Sequence, residues 1–418
     1  MHRIIVEGGS KLTGEIKVSG AKNSAVALIP ASILCKGKSI IYNVPEISDI
    51  DYLTKIMKLL NCDLKFENDS LIIDTTNIKY NEIPENLSVM MRASYYYMGA
   101  MLARFGKAEI SFPGGCTIGA RPIDIHIKGF ESLGAKVEII RNKYIITADK
   151  LIGTKIYLDF ASVGATINIM LAALGAEGTT IIENAAREPE IVNVASFLIN
   201  MGADIKGAGT STIEIVGKPC LENGVVEVFP DRIEAGTFII MGALLGDNLK
   251  VKGVISEHLE SLLSKLSEIG IEYVQSSDAI TISKCDNIGS CYIKTLVYPG
   301  FPTDLQQPMV TLLTQANGKS VIEETIYENR FKNTLYLNEM GAKTNIIDEH
   351  NLEVFGPTKL VGKNVVATDL RGGASLLVAA LISEGRSVID DADYILRGYG
   401  NIVNKLKSVC AKIEIENV

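Results

Sequence analysis

Residues 165–184 read ATINIMLAALGAEGTTIIEN. Apolar residues fall on most faces of the first ten positions, which predicts a helix buried on all sides. A glycine then closes it, in the manner of a left-handed C-cap. TTIIEN follows as a short strand. The same helix end and strand recur as KGKSIIYNV (Gly37), FGKAEISF (Gly106), EGTTIIEN (Gly178), LGDNLKVKGV (Gly246), NGKSVIEET (Gly318) and EGRSVIDD (Gly385). A second helix end recurs about halfway between, in LNCDLKF, LGAKVEI, MGADIKG, IGIEYVQ, MGAKTNI and VCAKIEI. The period is about 70 residues, longer than the roughly 20–50 of solenoid repeats. Six copies fill the chain.

Each copy predicts an α/β unit: a buried helix, a strand, an amphipathic helix such as EIVNVASFLINMG, and one or two strands around a polar turn. Three units per domain give two domains of about 200 residues. The boundary falls near VFPDRIEAG, so one domain spans 22–229 and the other 230–418. The strands of residues 1–21 precede the first unit and are expected to complete a sheet of the second domain. Two similar domains leave a cleft, where a ligand is expected.

Composition narrows the function. The chain has 418 residues, 47% apolar, with a formal net charge of -8. That charge argues against a sequence-blind nucleic-acid binder, but a few arginines in a cleft still dominate locally. No apolar run reaches the roughly 20 residues that span a bilayer, and MHRIIVEGGSKLTGEIKV reads as strands, not a signal peptide. A cytoplasmic protein is expected. Seven scattered cysteines without a CxxC pair, and His2, His126, His258 and His350 without metal spacing, predict neither disulfides nor a metal site.

Some stretches do not repeat. In FPGGCTIGARPIDIH, Phe112–His126, three glycines surround Cys116, and Arg121 stands close enough to depress a thiol pKa. Cys116 is either reactive or one more inert buried cysteine; the residues alone leave both open. Cys35, Cys62, Cys220, Cys285, Cys291 and Cys410 read as inert, with Cys62 and Cys410 standing where other units carry glycine. SGAKNSA places Lys22 and Asn23 at a helix start, where free amides and a lysine suit an anion; a solvated lysine is the plainer reading. FPTDLQQP offers Asp304, or a helix cap in Thr303 or Asp304. Arg92, Arg232 and Arg371 lie near the starts of buried helices, with Arg187, Arg330 and Arg397 elsewhere. Arginines converging on one cleft would hold phosphate and carboxylate; ion pairs such as Asp369–Arg371 are the alternative. Lysine, arginines, one thiol and one aspartate fit acid–base chemistry on a small polyanion.

SGAKNSA, MRAS, PGGCTIGARPIDIHI, SVGATINIM, ENAAREPEI, PDRIEAGTF, GFPTDLQ, ENRF, ATDLRGGASL and ILRGY, in order along the whole chain, resemble the UDP-N-acetylglucosamine 1-carboxyvinyltransferases, the MurA family of enolpyruvyl transferases. The resemblance implies two inside-out α/β barrel domains of three units each. It implies transfer of the enolpyruvyl group of phosphoenolpyruvate to the 3-hydroxyl of UDP-N-acetylglucosamine by addition and elimination, without metal or cofactor. This is the first committed step of peptidoglycan precursor synthesis; no obligate protein partner is expected.

By the same resemblance, Cys116 is the general acid toward the phosphoenolpyruvate methylene carbon. Lys22, Arg121 and Arg397 hold its phosphate, and Arg371 with Arg397 its carboxylate. Asp304 orients the sugar hydroxyl and acts as base, and Asn23 contacts the sugar. Arg92, Arg121, Pro122, Ile123, Asp124, Ile125, Ser162, Val163, Gly164 and Ile326 line the UDP-sugar pocket. The loop around Cys116 is expected to close over the sugar nucleotide. The chain departs from the family at Phe160, where many members carry lysine, and at Tyr394 and Gly400, where many carry histidine and glutamate. The rival readings are a shikimate 3-phosphate enolpyruvyl transferase and a catalytically silent UDP-sugar-binding paralogue.

Overall fold

The computed structural model describes residues 2–112, 123–218 and 220–417. They form two compact units: residues 20–112 with 123–229, and residues 2–19 with 230–417. Each unit has its own apolar core.

Each core is built on three helices. In the first unit they are Lys22–Ala31, Tyr96–Phe105 and Val163–Ala173. In the second they are Arg232–Leu245, Thr303–Leu313 and Leu370–Ile382. These helices are apolar on nearly every face, and burial follows: Gly164 through Ala173, Ile233 through Leu244 and Arg371 through Leu381 are buried without a break. Close helix packing needs small residues. A Cβ on Gly99 would stand 2.2 Å from the main-chain oxygen of Asn168 on the neighbouring helix.

Sheets surround the helices. Strand Thr179–Glu183 pairs parallel with Lys155–Tyr157 on one side and antiparallel with Thr212–Val216 on the other, and Asp204–Lys206 closes the far edge. The registers Ile156↔Ile182 and Ile182↔Ile213 put isoleucines side by side on the buried face. Strands Lys38–Tyr42, Leu249–Lys252, Gly318–Glu323 and Arg386–Asp390 are each central to a sheet of the same plan. Strand Lys107–Ser111 repeats it with a single parallel bridge, Ile83↔Ile110, in place of the edge strand. The N-terminal strand His2–Glu7 lies between Arg386–Asp390 and Lys412–Asn417, and Glu15–Lys17 edges the sheet of Leu249–Lys252. The fold class is α/β.

The repeat glycines differ from the sequence expectation. Only Gly106 closes its helix in the left-handed conformation (φ +67°). Gly246 closes one in extended conformation (φ −66°), and Asn248 makes the left-handed turn instead. Gly37, Gly178 and Gly385 lie beyond the helix end, in the turn before the strand, and Gly318 is the first residue of its strand. At the second helix end the left-handed residue is Asn61, Gly134, Gly202, Gly270, Gly341 or Cys410. Cys410 thus takes a glycine position, but Cys62 stands one residue later and is buried.

No helix among the described residues is long and apolar enough to cross a membrane.

Candidate active site

The central helices begin on residues that the sequence singles out. Lys22 opens the first, Arg92 lies in the 3-10 turn Arg92–Tyr95 before the second, and Ser162 caps the third. Arg232 opens the fourth, Thr303 and Asp304 the fifth, and Arg371 stands second in the sixth. A helix start presents unpaired N–H groups and partial positive charge, so each unit gathers three anion-attracting ends.

In the unit of residues 20–229, Lys22 Nζ lies 2.7 Å from Asp49 Oδ2, and Asp49 is 3% exposed. The ammonium is thereby anchored at the helix start. Asn23 beside it is half-buried. Three other predicted segments converge. The Arg92 guanidinium lies 6.0 Å from the Tyr95 ring, and Tyr95 meets His126 edge-on at 4.9 Å. A Cβ on Gly164 would stand 2.8 Å from Tyr95 Oη and 3.0 Å from His126 Cε1. Asn168 Nδ2 bonds His126 Nδ1 at 2.9 Å, while its Oδ1 accepts from the Gly99 N–H. Burial, helped by Arg92, lowers His126 to about 3. Arg92, His126 and Gly164 are thus brought together around Tyr95. The hydroxyl of Ser162 accepts from the Ala165 N–H at 3.3 Å. Ile123 is buried, Asp124 is exposed, and Ile125 and Val163 are half-buried.

In the unit of residues 230–417, one carboxylate serves two buried guanidiniums. Asp304 Oδ1 accepts from Arg330 Nη2 at 2.8 Å, and Oδ2 from Arg371 Nη2 at 3.0 Å. Arg330 is 1% and Arg371 3% exposed. Burial alone would raise the Asp304 carboxyl; Arg371 and Arg330 overcome it and hold it well below the usual carboxylate range. Nε and Nη1 of both arginines are buried with no hydrogen-bond partner among the described residues. Tyr399 and Asp231 also act on the Arg371 guanidinium, so its charge is shared among several neighbours.

Two sequence alternatives fail here. Asp369 caps the N–H groups of Arg371 and Gly372 instead of pairing with the guanidinium. Neither Thr303 nor Asp304 caps its helix: Pro302 holds the cap position, and the Thr303 hydroxyl donates to Glu324. Ile326 is half-buried, its N–H held by Glu324 at 2.9 Å. Arg397 follows the short helix Asp393–Leu396, where Asp393 is tied to His2. Cys116, Arg121 and Pro122 lie outside the described residues.

Sequence reasoning missed Asp49 and Glu324, and it grouped Arg330 with the candidate arginines without foreseeing its pairing with Asp304. Each lies in a loop after a strand or at its helix end, where a lone charge reads as solvated. Only the partner shows otherwise.

The chain matches the family model of EPSP synthase (3-phosphoshikimate 1-carboxyvinyltransferase) over residues 6–406. It is 50% identical to UDP-N-acetylglucosamine 1-carboxyvinyltransferase 2 of Listeria monocytogenes, over 98% of this chain and 97% of that one. It is 48% identical to UDP-N-acetylglucosamine 1-carboxyvinyltransferase of Clostridium botulinum, over 99% of both. Among solved structures, the enolpyruvyl transferase NikO from Streptomyces tendae superposes with a TM-score of 0.90 at 25% identity, covering 100% of this chain and 99% of that one. EPSP synthase from Acinetobacter baumannii superposes with a TM-score of 0.78 at 17% identity over the whole of both chains, a likeness of fold.

Proposed function

The chain belongs to the EPSP synthase family of 1-carboxyvinyl (enolpyruvyl) transferases, and we infer that its own reaction is transfer of the enolpyruvyl group of phosphoenolpyruvate to the 3-hydroxyl of UDP-N-acetylglucosamine, with release of phosphate. The observation that carries this reading is the near-half identity, end to end, with relatives named for that acceptor. The step belongs to peptidoglycan precursor synthesis, and a cytoplasmic location is proposed with it.

The residues take roles as follows. Cys116 protonates the methylene carbon of phosphoenolpyruvate, which makes C2 electrophilic. The sugar hydroxyl adds to C2 as Asp304 takes its proton, giving a tetrahedral phosphate ketal. Loss of a methyl proton and departure of phosphate restore the enol ether. Lys22, Arg121 and Arg397 hold the phosphate, and Arg371 and Arg397 the carboxylate. Two observations support these roles: Lys22 is anchored at a helix start by Asp49, and Arg371 is buried with Nε and Nη1 unpartnered among the described residues. Asp304 is ionised and can accept from the sugar hydroxyl, which suits orienting it, while the same two arginines weaken it as a base. Asn23 contacts the sugar, and Arg92, Arg121, Pro122, Ile123, Asp124, Ile125, Ser162, Val163, Gly164 and Ile326 line the UDP-sugar pocket; the closeness of Arg92, His126 and Gly164 to Tyr95 supports the part of that grouping drawn from their segments.

The test is phosphate release from phosphoenolpyruvate with UDP-N-acetylglucosamine and with shikimate 3-phosphate in parallel. Release with the UDP-sugar alone is expected. Release with shikimate 3-phosphate alone transfers the chain to the activity that names the family model. In the active protein Cys116→Ser is expected to lower turnover far more than UDP-sugar binding; equal loss of both overturns its role as acid.

A further inference from the structure

Glu324 is a carboxylate with 0% exposure. Burying such a group is costly unless its oxygens are bonded. Four donors meet it. Oε1 accepts from Thr295 Oγ1 at 2.8 Å, from the Ile326 N–H at 2.9 Å and from the Tyr327 N–H at 3.3 Å. Oε2 accepts from Thr303 Oγ1 at 2.9 Å. The network extends one step further: Thr295 Oγ1 accepts from the Thr325 N–H, and Thr325 Oγ1 donates to the Thr295 carbonyl. Its main chain is fixed as well, since the Glu324 N–H bonds the His350 carbonyl at 2.7 Å.

These bonds join two pieces of chain that the functional reading assigns to the sugar nucleotide. One is the turn 324–327, which carries Ile326. The other is the start of helix Thr303–Leu313, where Thr303 precedes Asp304. We propose that Glu324 is a positioning residue for the sugar nucleotide: one buried carboxylate sets the Ile326 main chain and, through Thr303, the helix start that aims Asp304. Among the described residues its hydrogen bonds reach none assigned to the phosphoenolpyruvate phosphate. The inference rests on the reading that Ile326 and Asp304 face the UDP-sugar.

The disturbance falls first on the UDP-sugar, because Ile326 and Thr303 meet Glu324 directly, whereas the phosphoenolpyruvate carboxylate is reached only through Asp304 and Arg371. Glu324→Ala leaves two N–H groups and two hydroxyls without their acceptor. It is expected to raise KM for UDP-N-acetylglucosamine about tenfold or more, with KM for phosphoenolpyruvate unchanged within about threefold. Glu324→Gln keeps one carbonyl oxygen for the turn and turns its amide toward Thr303, whose hydroxyl can accept as well as donate. It is expected to restore most of the affinity. A rise in both KM values together, or in neither, overturns the proposal, as does failure of glutamine to rescue. If the alanine variant does not fold, Thr303→Val decides: it removes only the Oε2 bond and should raise the UDP-sugar KM about threefold or more, an unchanged KM counting against the idea. Wild-type turnover with UDP-N-acetylglucosamine checks the underlying reading separately. An active wild type with unshifted variants sinks only the Glu324 inference, and an inactive wild type sinks both.

Discussion

Asp304 stands where stability and chemistry compete. Its side chain is 28% exposed, yet it neutralises guanidiniums that are almost wholly buried. Removing its charge leaves those cations unpaired in a poorly solvating place. Asp304→Asn keeps the shape, so the charge alone is tested. We expect a loss of about 3 kcal/mol in unfolding free energy, read from urea midpoints near neutral pH, together with loss of turnover. A stability change below about 1 kcal/mol would show that solvent already screens the cluster. The sign with pH is fixed: a depressed carboxyl contributes stability above its unfolded pKa of about 4 and loses it only as pH falls toward the folded value. Asp304, Lys22 and Arg371 were legible as oddities against the repeat. Glu324 and Asp49 were not, because their burial depends on partners such as Thr295 and Lys22, 29 and 27 residues away in sequence.

At the scale of elements, the helices were the readable part. Runs such as Val163–Ala173 are apolar all round, and the structure buries them in the cores. The parallel edge strands were not readable. Lys155–Tyr157, Tyr292–Lys294 and Asn364–Val366 have three residues each, too few for an alternating pattern. Helix contact depends on single atoms, and Gly99 tests this. In an ordinary helix interior Gly→Ala stabilises by roughly 0.5–1 kcal/mol. Here the added methyl meets the Asn168 main chain at 2.2 Å and its side-chain oxygen at 2.8 Å. Overpacking against backbone is the larger effect, so Gly99→Ala should destabilise by about 1–3 kcal/mol. It should also speed hydrogen exchange in helices Tyr96–Phe105 and Val163–Ala173. A stabilised variant would mean that the helices separate freely, and that packing at this contact is loose.

At the scale of the whole molecule, each unit holds a histidine that resists protonation, His126 buried and His258 half-buried. Burial and then Arg92 lower His126 to about 3; burial and then Arg232 lower His258 to about 4. Unfolded histidines take protons near 6.5. Below that pH the unfolded chain binds protons that the folded chain does not, so stability falls as pH drops from about 6.5 toward 4, by up to about 1.4 kcal/mol per pH unit for each histidine. A second effect opposes it. The net charge of -8 shrinks toward zero near the isoelectric point of 5.3, which relieves self-repulsion. The carboxylates are mostly silent in this window, since their ordinary pKa values lie near 4. Urea midpoints at about pH 7, 6 and 5 therefore decide between histidine desolvation and charge repulsion. We expect a decline, made shallower by His126→Gln, with the recovered protection in hydrogen exchange confined to residues 20–229. A flat or rising profile would mean that the folded histidines accept protons, and that the contacts of His126 with Asn168 and Tyr95 open readily in acid.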